Sequence, residues 1–303
     1  MSEKSIKPIV EDNVPEVEET RQTYQTPPTF SLIDKAIADA HLLQEEGQIA
    51  AALEKWHSLA NVVEEVDNEV AARAWFSIGT LLLEQEKKKK ALSAYDKAIR
   101  FKPDYAEAYT QRGNIKDALG QYTAAIADYD EAIRLNPADA EAYTNRGFVR
   151  TKLGNHKDAI ADHDEALRLN PDLVEAYHNR GLAKLMLGEH ESAIEDFDRT
   201  IQLYPDSAIP YWNRAMAKRS LRRYKAAIAD YGETILRMPE YAEAYVERGV
   251  IERSFRHKKK ALADFETALK LTHETGDRKL EARLVAEIQE LKEELEGEKR
   301  ADA

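Results

Sequence analysis

The chain has 303 residues, with 44 Lys and Arg against 56 Asp and Glu, a formal charge of −12 and no cysteine. That composition excludes disulfides, cysteine-held metals and thiol nucleophiles, and the acidic balance favours solubility and disfavours non-specific nucleic-acid binding. No apolar run approaches the roughly 18 residues of a membrane span, and the opening MSEKSIKPIV lacks the apolar core of a signal peptide, so a cytoplasmic chain without membrane insertion is expected.

Residues 1–30 are polar, with Pro8, Pro15, Pro27 and Pro28 and few large apolar groups. Such a segment buries too little surface to offset its ordering entropy and reads as a disordered tail. Its YQTPPTF stretch is either a linker or a docking segment. A loose first unit follows over about 33–71, with Gly47, Ala52 and Trp56 in the register of what comes next.

From Ala72 the sequence repeats every 34 residues, restarting at Ala106, Ala140, Val174, Ala208 and Ala242. These units span about 72–105, 106–139, 140–173, 174–207, 208–241 and 242–275. The fourth position is aromatic: Trp75, Tyr109, Tyr143, Tyr177, Tyr211 and Tyr245. The eighth is small (Gly79, Gly113, Gly147, Gly181, Ala215 and Gly249), and the twentieth is alanine throughout. An aromatic stands four residues after that alanine, as Tyr95, Tyr129, Phe197, Tyr231 and Phe265, except for His163. Five units close on proline. After Leu271 a linker leads to one more helix over about 277–297, whose Leu284, Ile288, Leu291 and Leu295 form a single apolar stripe, and 299–303 read as a frayed end. The stripe fits a cap over the last unit's open flank, and two heptads are too few to favour a coiled coil.

Each unit reads as a pair of antiparallel helices. Small residues let the helices approach and the aromatics fill the remaining gap. Gly120, Gly154 and Gly188 stop the first helix, and the closing prolines stop the second. One such pair leaves an apolar flank exposed, so the pairs must stack into an all-α solenoid.

The period and the spacing of aromatic, Gly, Ala and Pro resemble the tetratricopeptide repeat (TPR) over about residues 33–275. The resemblance implies a right-handed superhelix of some seven stacked helix-turn-helix units. Its first helices would line a concave surface that takes protein ligands.

The chain departs from that family's pattern at Arg146 and Arg150, where leucine and tyrosine are expected at the centre of the helix's apolar face. An unpaired buried charge is costly. Every unit with the first of these arginines has an aspartate sixteen residues later: Arg112 with Asp128, Arg146 with Asp162, Arg180 with Asp196, Arg214 with Asp230 and Arg248 with Asp264. The unit with Ile78 has Ala94 in the aspartate's place. A ladder of structural ion pairs is expected, within or between repeats, because the guanidinium fork matches carboxylate. A set of solvated charges inherited from one ancestral repeat is the other reading.

The residue before each arginine points the opposite way: Gln111, Asn145, Asn179 and Asn213. The family resemblance places these on the groove, where an amide offers both donor and acceptor to a peptide group. The arrangement resembles the asparagine ladder of O-linked N-acetylglucosamine transferases. Phe148, Leu182, Met216 and Val250 stand three residues further on, with Met186 and Trp212 nearby, and either contact a ligand or pack between neighbouring helices. Glu107, Glu141, Glu175 and Glu243 favour a ligand of some basic character. The groove lacks the lysines with which related repeats clamp acidic chaperone tails. Basic clusters at 87–90, 222–225 and 256–260 mark turns and read as solvated.

No phosphate loop or HExxH motif is present, and the eight histidines show no metal-ligand spacing. His163, between Asp162 and Asp164, takes the place of a core aromatic. No catalytic residue, cofactor or metal is therefore expected. The expected function is a non-catalytic scaffold or adaptor, chaperone-like, that binds an extended or disordered segment of another protein in the groove, with no role for nucleic acid. The alternatives are an assembly subunit using its outer surface, turns or tail, and a regulatory subunit of an enzyme. Homo-oligomerisation is left open.

Overall fold

The computed structural model describes residues 28–275 and 277–301, so the expected tail lies, up to residue 27, outside the described residues, as do 302 and 303. Fifteen α-helices follow in order. The loose first unit is α1 (Pro28–Glu45) and α2 (Ile49–Val63). The regular units are α3 (Asn68–Glu84) with α4 (Lys88–Phe101), α5 (Ala106–Ala118) with α6 (Tyr122–Leu135), and α7 (Ala140–Lys152) with α8 (His156–Leu169). They continue with α9 (Val174–Met186) and α10 (His190–Leu203), α11 (Ala208–Ser220) and α12 (Tyr224–Arg237), and α13 (Ala242–Ser254) and α14 (Lys258–Thr275). The last helix, α15, runs Arg278–Ala301. Helix α1 thus begins at Pro28, where a missing N–H costs nothing and φ is already set for a helix.

The first helices end in a left-handed residue. In α5 the Gln121 amide donates to the Lys116 carbonyl at 2.8 Å and Gly120 to Asp117 at 2.8 Å, with Gly120 at φ 74°. Gly47, Gly154 and Gly188 do the same job at φ 72°, 81° and 79°. Where the column lacks glycine, Glu86, Arg222 and Arg256 are forced into the same conformation.

The core follows from the eighth and twenty-fourth positions. A Cβ added to Gly113 would stand 2.7 Å from the Tyr129 ring, and one on Gly181 would stand 2.8 Å from Phe197. Glycine therefore lets the ring of the second helix lie on the first helix's backbone. Tyr95, Tyr129, Phe197, Tyr231 and Phe265 are all fully enclosed. His163 takes the same seat against Gly147.

Helices pack in chain order, each against its neighbours, and successive first helices α5, α7, α9 and α11 also touch, as the inner side of a curved row must. At the C-terminal end Leu284, Ile288 and Leu291 of α15 bury against Phe265, Ala261 and Ala268. Arg253 reaches Glu287, Glu290 and Glu294, and Lys258 reaches Glu294 and Glu298, tying α15 to α13 and α14. At the other end Leu32 of α1, Val62 of α2 and Val66 in the turn after it are exposed around an apolar hollow of about 510 Å³.

Candidate functional site: the charge spine and the inner face

In four units, the arginine at the seventh position joins two repeats. Within its own repeat Arg146 donates through Nε and Nη2 to both Asp162 oxygens, at 3.1 and 2.6 Å. Its remaining nitrogen, Nη1, reaches back to Asp130 of the preceding repeat at 2.6 Å. Arg112 holds Asp128 and Asp96 in this way, Arg180 holds Asp196 and Asp164, and Arg214 holds Asp230 and Asp198. Arg248 holds Asp264 only, because Gly232 stands where the upstream aspartate would be.

A second cation completes four of the five inner carboxylates, Asp264 lacking one because Glu252 stands at that place. One turn beyond the arginine, Lys116 reaches Asp128 at 2.6 Å, Arg150 reaches Asp162 at 2.7 Å, Lys184 reaches Asp196 at 2.8 Å and Lys218 reaches Asp230 at 2.7 Å. The aspartate Asp162 is 3 % exposed, so these contacts are what make its burial affordable. Each arginine also lies over the aromatic three residues before it, as Arg146 over Tyr143 at 5.4 Å. Burial alone lowers the Arg146 pKa, but the hydrogen bonds and charge of Asp162 and Asp130 outweigh it and hold the guanidinium above its ordinary value. Reading the sequence column by column marks Arg150 but not its pairing with Asp162, and misses the upstream aspartates and the other second cations, although all recur at the 34-residue period.

The amides of the inner face do not behave alike. Asn145 donates to the Asn114 side-chain oxygen of the previous repeat at 2.9 Å, and Asn114 in turn accepts the Tyr129 hydroxyl at 2.8 Å. Asn213 is only 7 % exposed. Gln111 and Asn179 are half-buried and make no side-chain hydrogen bond among the described residues. Glu107, Glu141, Glu175 and Glu243 are exposed beside them.

The ninth position of the repeat meets the enclosed ring's hydroxyl in two units. Thr80 meets the Tyr95 hydroxyl at 3.1 Å and Asn114 meets that of Tyr129, whereas Leu182, Met216 and Val250 are half-buried apolar residues at the same place. The Tyr231 hydroxyl, in the repeat with Met216, is buried without a partner. Phe148 is at the surface under Lys152, whose Nζ lies 4.3 Å from the ring centre, and Met186 is 63 % exposed. Trp212 is wedged between Tyr231 and Tyr241, with ring centres at 5.3 and 5.0 Å.

Asp162, His163 and Asp164 do not converge. The two carboxylates belong to the arginine spine and His163 is enclosed, with both ring nitrogens unpartnered. No cluster of potential metal ligands occurs among the described residues, and no helix among them is long and apolar enough to cross a membrane.

Models of the tetratricopeptide repeat match residues 79–117, 113–154, 139–206 and 213–273. Comparison with curated proteins gives no sequence match. Among solved structures, a tetratricopeptide repeat protein from Parabacteroides merdae is 23% identical over 85% of this chain and 98% of its own, with a TM-score of 0.59. YrrB, described as a TPR protein with an unusual peptide-binding site, is 22% identical over 63% of this chain and 96% of its own, with a TM-score of 0.54. Pseudomonas aeruginosa pilF is 18% identical over 73% of this chain and 99% of its own, with a TM-score of 0.63. Stacked helix pairs, the sequence period and these matches agree: the chain belongs to the tetratricopeptide repeat family and forms a right-handed α-solenoid of the kind that serves protein–protein interaction.

Proposed function

We propose that this solenoid is a non-catalytic scaffold that holds an extended, partly basic segment of another protein along its inner face. The observation that carries this reading is the pair of half-buried amides, Gln111 and Asn179, which have no hydrogen-bond partner within the described residues and stand beside exposed Glu107, Glu141 and Glu175. Amides held on rigid helices can take the backbone of a strand-like segment at little ordering cost. The carboxylates add attraction for lysine or arginine and speed encounter.

The test uses fluorescein-labelled nine-residue peptides of Gly, Ser and Lys, and matched peptides with Glu for Lys, read by anisotropy. The Lys peptides are expected to bind more tightly, with an affinity that falls as salt rises. Changing Gln111 and Asn179 together to alanine weakens binding about tenfold, the value of one to two net hydrogen bonds. Equal binding of both peptide sets, or no change in the double variant, refutes the reading.

A second reading, an assembly subunit, is favoured by the open flank at Leu32, Val62 and Val66, since terminal repeats need covering and α15 covers only the other end. A second copy of this chain is the occupant to test. Sedimentation at rising concentration would show self-association that Val62→Glu abolishes. A chain that remains monomeric throughout removes this reading.

A further inference from the structure

Consecutive repeats meet where the fifth residue of one 34-residue unit faces the residue just before the next unit. Two of these junctions are sealed by rings. Phe76 stacks on Tyr105 and Trp212 meets Tyr241, each with ring centres 5.0 Å apart. A third is closed by a hydrogen bond from the Thr110 hydroxyl to Asp139 at 3.0 Å. At the junction between α9 and α11 the pair is His178 and Ser207, with no hydrogen bond between the two. A cavity of about 290 Å³ opens there, lined among others by Glu175, His178, Asn179, Tyr204, Ser207 and Ile209. Its apolar walls stay wet, with Tyr204 56 % and Ile209 41 % exposed.

We propose that this cavity is a side-chain subsite for a tyrosine of the bound segment, whose ring takes the place that Tyr105 and Tyr241 fill at the sister junctions. The chain itself supplies the evidence for the occupant, since an aromatic ring in this seat twice closes the same helix geometry. His178 offers its ring as the partner, as Phe76 does by stacking and Trp212 by an edge-to-face contact elsewhere. Burial lowers its pKa, so the imidazole is neutral at pH 7 and does not repel basic neighbours of the tyrosine. Glu175 and Asn179 are the acceptors for the phenol hydroxyl, a polar requirement that distinguishes tyrosine from phenylalanine. The inference rests on the groove reading for the path of the segment and shares Glu175 and Asn179 with it, but it takes its specificity from His178 and the gap at Ser207.

The experiment compares the Gly-Ser-Lys peptide carrying a central Tyr with its central-Ala counterpart. The Tyr peptide is expected to bind wild type about tenfold more tightly, a modest yield for one buried aromatic with a hydrogen bond. Ser207→Tyr plugs the cavity from within, as Tyr241 does, and reduces that preference to less than about twofold, with the melting temperature unchanged or raised. Should that variant fail to fold, His178→Trp fills the space from the other side, as Trp212 does. N-acetyl-tyrosinamide, which needs no groove, should shift the His178 ring resonances of wild type and not those of the plugged protein. A Tyr preference that survives plugging, or equal binding of the two peptides to wild type, overturns the subsite while leaving the groove reading intact. Failure of both peptides to bind, with the His178 shift retained, overturns the groove reading and leaves the subsite standing.

Discussion

His163 occupies a seat that the sister repeats give to tyrosine or phenylalanine. It is 0 % exposed and neither ring nitrogen has a partner. Burial first, and then the charge of Arg180, lower its pKa from 6.5 to about 4. The folded chain therefore keeps the ring neutral, while the unfolded chain binds a proton near pH 6.5. The folded pKa is the depressed one, so the contribution to stability is intact above pH 6.5 and is lost as the pH falls, completely so below about 4. At about 1.36 kcal/mol per pH unit the full loss is about 3.4 kcal/mol, and between pH 7 and pH 4.5 it is about 2.4 kcal/mol. That is a large part of the roughly 5–15 kcal/mol that holds a typical domain folded. Phenylalanine fits the seat, because Gly147 faces His163 as Gly181 faces Phe197, with the hypothetical Cβ 2.8 Å from the ring in both. His163→Phe also removes two unpartnered polar atoms, which adds about 1–3 kcal/mol at neutral pH. Urea unfolding of wild type and variant, followed by circular dichroism at pH 7 and pH 4.5, measures both terms. Carboxylates and the other histidines are shared by the two proteins and cancel in the difference. The variant's advantage should widen by about 2.4 kcal/mol at the lower pH. An advantage that stays constant between the two, or an NMR titration placing the wild-type ring near pH 6.5, refutes the reasoning.

The spine predicts strong coupling. Arg180→Met strands Asp196 with only Lys184 and should cost about 3–5 kcal/mol, whereas Arg180→Met with Asp196→Leu should cost much less than the sum of the two single changes. Additive single effects in that urea cycle would dismiss the pair as an energetic unit. Gly232→Asp supplies the missing upstream carboxylate, since a Cβ there would lie 3.8 Å from the Arg248 guanidinium. It also relieves a helical glycine, for a gain of about 1–2 kcal/mol, and no rise in melting temperature would count against the inter-repeat bridge. Tyr231→Phe removes a buried hydroxyl without a partner and should stabilise by about 1 kcal/mol in urea, and a loss of that size would mean the hydroxyl is bonded after all.

The hairpins, their order and their inner packing were legible in the sequence. Steric fit within one repeat is local, so the column pairing Gly113 with Tyr129 and Gly181 with Phe197 recurs at fixed spacing and can be read without coordinates of any kind. The recurrent spacing of Arg146 and Asp162 was legible for the same reason. Contacts across a junction are different. Whether Arg146 also bridges to Asp130, whether Asn145 turns to Asn114 instead of a ligand, and whether Ser207 leaves a gap beneath His178 all depend on how far one repeat is rotated and shifted against the next. That offset is set jointly by every side chain in the interface and by the curvature it imposes. The period therefore determines the stack, and only the packed stack decides which polar groups remain free to meet a partner.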